Sequence, residues 1–466
     1  MKTFLRLSLL VVLFAGFAWA KSAAPFVDQP LAPDAAQPGA KAFTLTLHGA
    51  GFISGSVVDW DGGALKTHFV SKTELTAKVS ASDVSKAGTA SVTVVNPGGH
   101  ISNVSYFQIV KTEKSVKLGL ATYATGPEPY AVATADLNGD GKLDLIVPNV
   151  SGTTVSILLG KGNGTFQTQA QYQAGYAPIA VGVADFNGDG KPDLAMVNNG
   201  NDSNGQPGTV TILLGNGDGT FKAGKAYPTG TGPNCVAIGD FNGDGKLDLA
   251  LSDYNIARGN SVAVLLGKGD GTFGKYKSYE TDSSPEFVVT ADVNGDGILD
   301  LVTANESTDN VSVLLGKGDG TFEAHVDYVT GHEPIALAVA DVNNDGSPDL
   351  AVVDLGANTI SILLNNGDGT FAAHVDYATG AFPVSVAIAD FNSDNHQDLA
   401  VANQDSAGTV SILLGKGDGT FKPQTQLNAG SEPQGIAVGE FNGDGRPDIS
   451  VVDVFSTEVA VLLQGK

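Results

Sequence analysis

Disulfides cannot stiffen this chain, because it has a single cysteine, Cys235, and no second thiol to pair with it. Basic residues are scarce: 26 Lys and Arg face 50 Asp and Glu, a formal charge of -24. A surface of that sign argues against nucleic acid as a partner, since holding a phosphate backbone takes clustered cations. The histidines His48, His68, His100, His325, His332, His374 and His396 are scattered without ligand spacing and read as solvated loop or strand residues. Beyond the opening residues no apolar stretch is long enough to cross a bilayer. No repeat segment has the periodicity of an amphipathic helix either.

What is abundant is glycine, at 60 residues, together with acidic side chains at fixed spacing. The chain opens with Lys2 and Arg6, an apolar run Leu7 to Phe17, and Ala18-Trp19-Ala20. That is the pattern of a secretory signal peptide, residues 1–20, cut after Ala20. The mature chain, at -26 once Lys2 and Arg6 are gone, is therefore expected outside the cytoplasm. It is expected to be secreted, periplasmic or surface-associated, without a transmembrane segment, and monomeric.

An acidic residue, an Asn, an Asp and another Asp recur at positions one, three, five and nine of a short loop. First positions lie 49, 55, 52, 49, 49 and 50 residues apart. Oxygens at one, three and five of a tight loop converge on one point, which suits Ca2+, a hard cation that takes six to eight oxygen ligands. A backbone carbonyl at seven and a carboxylate at nine complete the set. The first loop offers Asp136, Asn138, Asp140, the carbonyl of Lys142, and Asp144. The second offers Asp185, Asn187, Asp189, Lys191 and Asp193, and the third Asp240, Asn242, Asp244, Lys246 and Asp248. The fourth has Asp292, Asn294, Asp296, Ile298 and Asp300, and the fifth Asp341, Asn343, Asp345, Ser347 and Asp349. The sixth has Asp390, Asn392, Asp394, His396 and Asp398, and the seventh Glu440, Asn442, Asp444, Arg446 and Asp448. Up to seven Ca2+ ions are thus expected, held by 21 of the 50 acidic residues. An EF-hand needs a Glu at position twelve, and the first loop has Val147 there, inside a strand. The alternative is a set of Asn/Asp/Gly-rich turns that need no metal. The sixth loop, with Asn395 in place of the position-six glycine, and the seventh, with the longer Glu440, are expected to bind most weakly.

Each repeat reads as four short strands. In the fifth, Ile335 to Ala340, Leu350 to Val353 and Ile360 to Leu364 are apolar runs, and Thr370 to Thr379 is a more polar stretch. Four antiparallel strands repeated radially make a propeller blade. The last repeat ends at Val459-Ala-Val-Leu-Leu463 without a fourth strand, while Lys117 to Thr125 resembles one ahead of the first loop. The early strand is therefore expected to complete the last blade, removing an unpaired edge. The recurrent Gly-Asp-Gly-Thr-Phe turns at Asp218, Asp270, Asp319, Asp368 and Asp418 read as hairpin chemistry. With Gly175-Tyr-Ala177-Pro178 and Gly331-His-Glu333-Pro334 beside the acidic loops, residues 116–466 resemble the FG-GAP/VCBS-type repeats of integrin α-chain propellers and their bacterial relatives. The resemblance implies a seven-bladed β-propeller.

Residues 24–110 alternate instead in short runs such as Phe43 to Leu47, Ala90 to Val95 and Val104 to Val110, separated by turns. The elements Gly49-Ala-Gly51-Phe52, Val58-Asp-Trp60 and Asn96-Pro97-Gly98-Gly99 resemble the IPT/TIG family of immunoglobulin-like domains. Trp60 is expected to pack in the core rather than stack on sugar. Lys111 to Ser115 reads as a linker. The fold class expected is all-β: a small immunoglobulin-like sandwich followed by a seven-bladed propeller.

No catalytic constellation stands out, because an active site needs one unique set and these acidic residues are repeated. A non-enzymatic scaffold for adhesion, binding a protein or glycan, is the expected function. The alternatives are a propeller-based lyase and a lectin using Tyr123, Tyr172, Tyr227, Tyr279, Tyr328 and Tyr377, which recur once per repeat, although these rings are expected to pack against the neighbouring blade rather than stack on sugar. Two second turns are enlarged, Asn198 to Gly208 and Tyr254 to Asn260. They place Asn201, Asp202, Asn204, Tyr254 and Arg258 on the expected partner face, away from the acidic loops.

Overall fold

The computed structural model describes residues 24–27, 31–33, 35–86, 88–109, 118–200, 207–230, 232–255 and 259–465. The expected signal peptide, the linker 111–115, and Asn201, Asp202, Asn204 and Arg258 lie outside the described residues. Those residues form an all-β molecule whose one helical element is a 3-10 turn at Glu306–Thr308. No described helix is long and apolar enough to cross a membrane.

Repeated four-stranded antiparallel sheets in a propeller-like arrangement make up the larger part. The fifth repeat sheet shows the pattern: Pro334–Ala340, Asp349–Asp354, Thr359–Leu363 and Val375–Ala378 pair in sequence order. The second and third strands are almost wholly buried, since each sheet is covered on both faces, and their sequences are accordingly continuous apolar runs. The outer strand is exposed except at its tyrosine. Six first strands begin at a proline followed by a register shift, as at Pro334/Ala336. Proline has no N–H to give the ladder, so a strand end with a bulge accommodates it.

The last repeat takes its fourth strand from before the first loop. Leu118–Ala124 pairs antiparallel with Glu458–Gln464, Leu118 opposite Gln464 and Ala124 opposite Glu458. Contacts between neighbouring sheets follow one rule. The N–H of a turn glycine reaches the carbonyl of position two in the preceding acidic loop: Gly219 to Leu137, Gly271 to Phe186, Gly320 to Phe241, Gly419 to Val342 and, from the first sheet to the seventh, Gly164 to Phe441 at 2.6 Å. At the other two junctions a side-chain amide does this work, Asn365 Nδ2 to Val293 O at 2.8 Å and Gln464 Nε2 to Phe391 O at 2.7 Å.

The N-terminal unit has a four-stranded and a five-stranded sheet around one apolar core that includes Leu45, Leu47, Phe52, Val58 and Phe107. Trp60 belongs to that core, 6% exposed with its ring 5.0 Å from Phe107, and offers no sugar platform. The unit rests on the acidic-loop end of the repeats. Ala24 N–H donates to Asp240 Oδ2 at 2.9 Å, and Ala50 and Phe26 share a core with Phe241 and Leu299. His48 and Thr73 face Asp292 and Ser347 across a 60 Å³ gap. A side chain at Gly445 would meet Gly88 N and Ile109 O at 2.7 Å. A cavity of about 400 Å³ lies along the first strands, lined by Ala131, Val181, Cys235, Phe287, Val289 and Ile436 among others, with Phe26 in its wall.

Candidate metal loops

Each acidic loop joins the first and second strands of its sheet. Positions four and six turn left-handed, at Gly139 (φ 71°) and Gly141 (φ 77°) in the first loop. Glycine adopts this region without a Cβ penalty. Asn344, Ser393 and Asn395 do so at φ 62°, 58° and 64°. Position six was legible in the sequence, but position four was not singled out.

That backbone shape aims N–H groups at the acidic side chains. Asp136 Oδ1 accepts from Gly139 N at 2.8 Å and Oδ2 from Gly141 N at 2.8 Å, while Asp140 Oδ1 accepts from Lys142 N at 3.1 Å. The position-six bond to Oδ2 repeats at Asp185, Asp240, Asp292, Asp341 and Asp390, while Oδ1 of the last four accepts from the position-five N–H. In the seventh loop the longer Glu440 gathers Asn442, Gly443 and Asp444 N–H on one oxygen.

Position nine does something the sequence did not reveal. Its carboxylate, fully buried, clamps two separate chain segments. Asp144 accepts from Leu137 N at 2.9 Å and from Gly160 N, at the end of the third strand, at 2.7 Å. The same two bonds occur at Asp193, Asp248, Asp300, Asp349, Asp398 and Asp448. Burial raises the pKa of these carboxyls, and the charges at positions one and five add to it. Asp144 and Asp193 are pushed up to about 6, Asp349 to about 7, and Asp248, Asp300, Asp398 and Asp448 to about 8, against the lowering by their N–H donors.

Lysine at position seven brings an internal cation to three loops: Lys142 to Asp140 at 3.1 Å, Lys246 to Asp244 at 3.5 Å and Lys191 to Asp189 at 3.9 Å. Ile298 and Ser347 in the fourth and fifth cannot. Among the described residues no three His, Cys, Asp or Glu side chains converge as a ligand group; the carboxylates point at backbone N–H groups instead. The donor chemistry nevertheless suits a hard divalent cation, because carboxylate and amide oxygens crowd together. One orphan atom points the same way. Asn392 gives its Nδ2 to Asp398 Oδ2 at 3.2 Å, and its Oδ1, in a residue 3% exposed, has no donor.

The Gly-Asp-Gly-Thr-Phe turns carry their own hydrogen bonds: Asp218 Oδ1 accepts from Thr220 N at 3.0 Å and Thr220 Oγ1 at 2.6 Å, and Gly215 bridges Phe221. The periodic tyrosines pack edge-on against the phenylalanine of the next sheet, Tyr123 on Phe166 at 5.1 Å through Tyr377 on Phe421 at 5.4 Å. Ser361, His374 and Asp376 meet in the fifth sheet, Nδ1 of the histidine 2.7 Å from Asp376. Ser361 is fully buried and its Oγ lies 2.7 Å from Asp354, so the group packs strands and presents no nucleophile.

A model of the FG-GAP-like repeat matches residues 136–196, 185–251, 251–303, 292–352, 341–401 and 390–451, more than half of the chain. No curated protein matches. Among solved structures, a functionally unknown protein from Desulfotomaculum acetoxidans DSM 771 is 13% identical over 68% of this chain and 90% of that one, with a TM-score of 0.51. An auxiliary nutrient binding protein from Bacteroides ovatus ATCC 8483 is 13% identical over 95% and 98%, at 0.45. A periplasmic gluconolactonase from Pseudomonas aeruginosa is 16% identical over 75% and 96%, at 0.47. At such identities the first likeness is one of fold, and none speaks to activity.

Proposed function

The chain belongs to the FG-GAP-like repeat family, and from that premise we propose that it is an exported, non-enzymatic scaffold for adhesion or protein or glycan binding. In this reading its seven sheets close into a seven-bladed propeller, as in integrin α-chains. The N-terminal unit is an immunoglobulin-like domain of the IPT/TIG kind, and Ca2+ in the acidic loops supplies rigidity. The circuit of hydrogen bonds that returns from Gly164 to Phe441 supports closure.

The observation that carries the scaffold reading is where the N-terminal unit sits. It covers part of the acidic-loop face, through Ala24 on Asp240 and His48 and Thr73 opposite Asp292. The opposite face, with the second turns and the crossovers, has the varied residues a specific partner needs. The strand ends that flank the enlarged turns lie there, Asn198 and Thr209 in the second sheet and Asn255 and Gly259 in the third. A lectin built on the periodic tyrosines is disfavoured because their rings already pack on phenylalanine. Residues Asp136, Asn138, Asp140 and Asp144, and their counterparts in the other loops, hold the ion together with the position-seven carbonyls. When bound, the ion neutralises carboxylates that otherwise repel one another.

Two measurements test this. Thermal unfolding in calcium and in chelator should differ, with a lower midpoint in chelator, because an ion that binds the native state alone stabilises it by mass action. Equal midpoints would sink the calcium reading. Capture of partners from envelope or culture fractions should be lost when residues 199–208 and 255–259 are shortened to the turn length of the fifth repeat, with calcium affinity kept. Undiminished capture removes the second-turn face as the partner surface.

A further inference from the structure

A polar cluster occupies one side of the cavity mouth on the second-turn face. Tyr130, Asn234, Glu286 and Gln434 each immediately precede a residue of the cavity wall: Ala131, Cys235, Phe287 and Gly435. Asn234 Nδ2 donates to the Glu286 carboxylate, and Tyr130 bonds to Gln434. Tyr254 OH donates to Glu306 Oε2 at 2.9 Å, and the charge of Glu286 is felt by both Tyr130 and Tyr254. All six of these side chains are half-buried. Two carboxylates and two phenols thus lie near one another beside the residues that begin the apolar cavity wall. Among the described residues neither Glu286 nor Glu306 forms an ion pair with Lys, Arg or His.

We infer that this mouth binds an organic ammonium ligand, its cationic head between Glu286, Glu306, Tyr130 and Tyr254 and its apolar body in the cavity behind. Aromatic faces attract ammonium through the ring quadrupole, and they do so best where water is excluded. A cavity of about 400 Å³ walled by Val, Ile, Ala and Phe is of the size and character that takes a small ligand. Burial first, and the Glu306 charge second, push the Glu286 carboxyl up to about 8. A cation seated there offsets both effects, which an anion or a neutral alcohol does not. The repetition of the acidic loops has no counterpart here: the equivalents of Glu286 in the fifth and sixth sheets are Ile335 and Val384. The site is single.

The inference rests on the reading that the second-turn face is the binding face. Isothermal titration of the full chain in excess calcium should show saturable binding of hexyltrimethylammonium, with hexanoate and 1-hexanol at least tenfold weaker. Glu286→Gln should weaken the ammonium at least tenfold without lowering the melting midpoint, and Glu306→Gln gives the same reading if that variant folds poorly. Cys235, the chain's one thiol, lines the cavity, so its alkylation by a neutral reagent should slow when the ammonium is present. Equal affinity for hexanol or hexanoate, no binding, or binding indifferent to both substitutions overturns the inference. If loop shortening leaves partner capture intact while ammonium binding still depends on Glu286, the enlarged turns are removed as the partner surface and this inference stands. The reverse pattern removes this one alone.

Discussion

The two faces of the repeat array are built on opposite principles. On the acidic-loop face every sheet presents nearly the same atoms: a position-one carboxylate over two N–H groups and a buried position-nine carboxylate bridging two strands. On the second-turn face the side chains at equivalent places differ from sheet to sheet. Tyr254, Glu306, Leu355 and Gln404 occupy one such place. Repetition suits a structural device that each sheet needs once. Variation suits recognition, where one constellation must be unlike its copies.

The sharpest way to break this comparison is to remove the strand that joins the ends of the array. Deleting 118–124 leaves Glu458–Gln464 as an exposed apolar edge, and the product is expected to aggregate or lose its cooperative transition. A parent-like melt would show that the acidic-loop face does not depend on a completed seventh sheet.

Next in size is the division of labour inside one loop. Asp300→Ala removes the acceptor of Val293 and Gly316 N–H. Two orphaned donors in a dry site should cost about 2–5 kcal/mol in urea unfolding, measured in chelator so that no ion contributes. Exposed Asp296→Ala should change stability in chelator by less than about 1 kcal/mol and act instead on calcium affinity. Similar losses in chelator would mean the two carboxylates share one role.

A smaller effect separates the second-turn face by pH. At the end of the second strand Asn149, Asn198, Asn305 and Asn403 alternate with Asp253, Asp354 and Asp453, all buried. Burial pushes Asp354 up to about 7. A carboxyl raised in the folded state favours the fold below its unfolded value, about 4, and that contribution is lost as pH rises through the folded value. Asp354→Asn should therefore stabilise by about 1–3 kcal/mol at pH 8, with the gain shrinking toward pH 4. A gain independent of pH would assign it to hydrogen bonding with Ser361 and Thr359 instead.

The smallest effect expected is that of shortening the turn at 199–208, under about 1 kcal/mol, since loop closure entropy varies slowly with length. A large loss of stability would show that this turn holds the fold rather than presenting a surface.

Much of this molecule was legible in the residues. The acidic loops, the strand pattern of the fifth repeat, the hairpin role of Asp218 and the pairing of Leu118–Ala124 with the last repeat all follow from short-range turn chemistry and apolar periodicity. Such signals involve residues a few positions apart, so they are readable before any long-range contact is known. Trp60 in the core and the tyrosines against the next sheet were legible as preferences of aromatic residues for packing. The clamp at position nine was not, because a metal ligand and an N–H acceptor look alike in sequence, and the donors at Gly160 and its counterparts lie across the sheet.

By itself, then, the sequence determined the repeating unit, its turns and the crowding of carboxylates that a cation would relieve. Only the tertiary structure decided which face is covered, through Ala24 on Asp240, and which junctions replace a glycine N–H by Asn365 or Gln464. It also brought Glu286 from the fourth sheet beside Tyr130 from the first at the mouth of an apolar cavity. The physical reason is range: turns are fixed by local dihedral and hydrogen-bond preferences, whereas these meetings depend on how whole sheets pack, which no local pattern encodes.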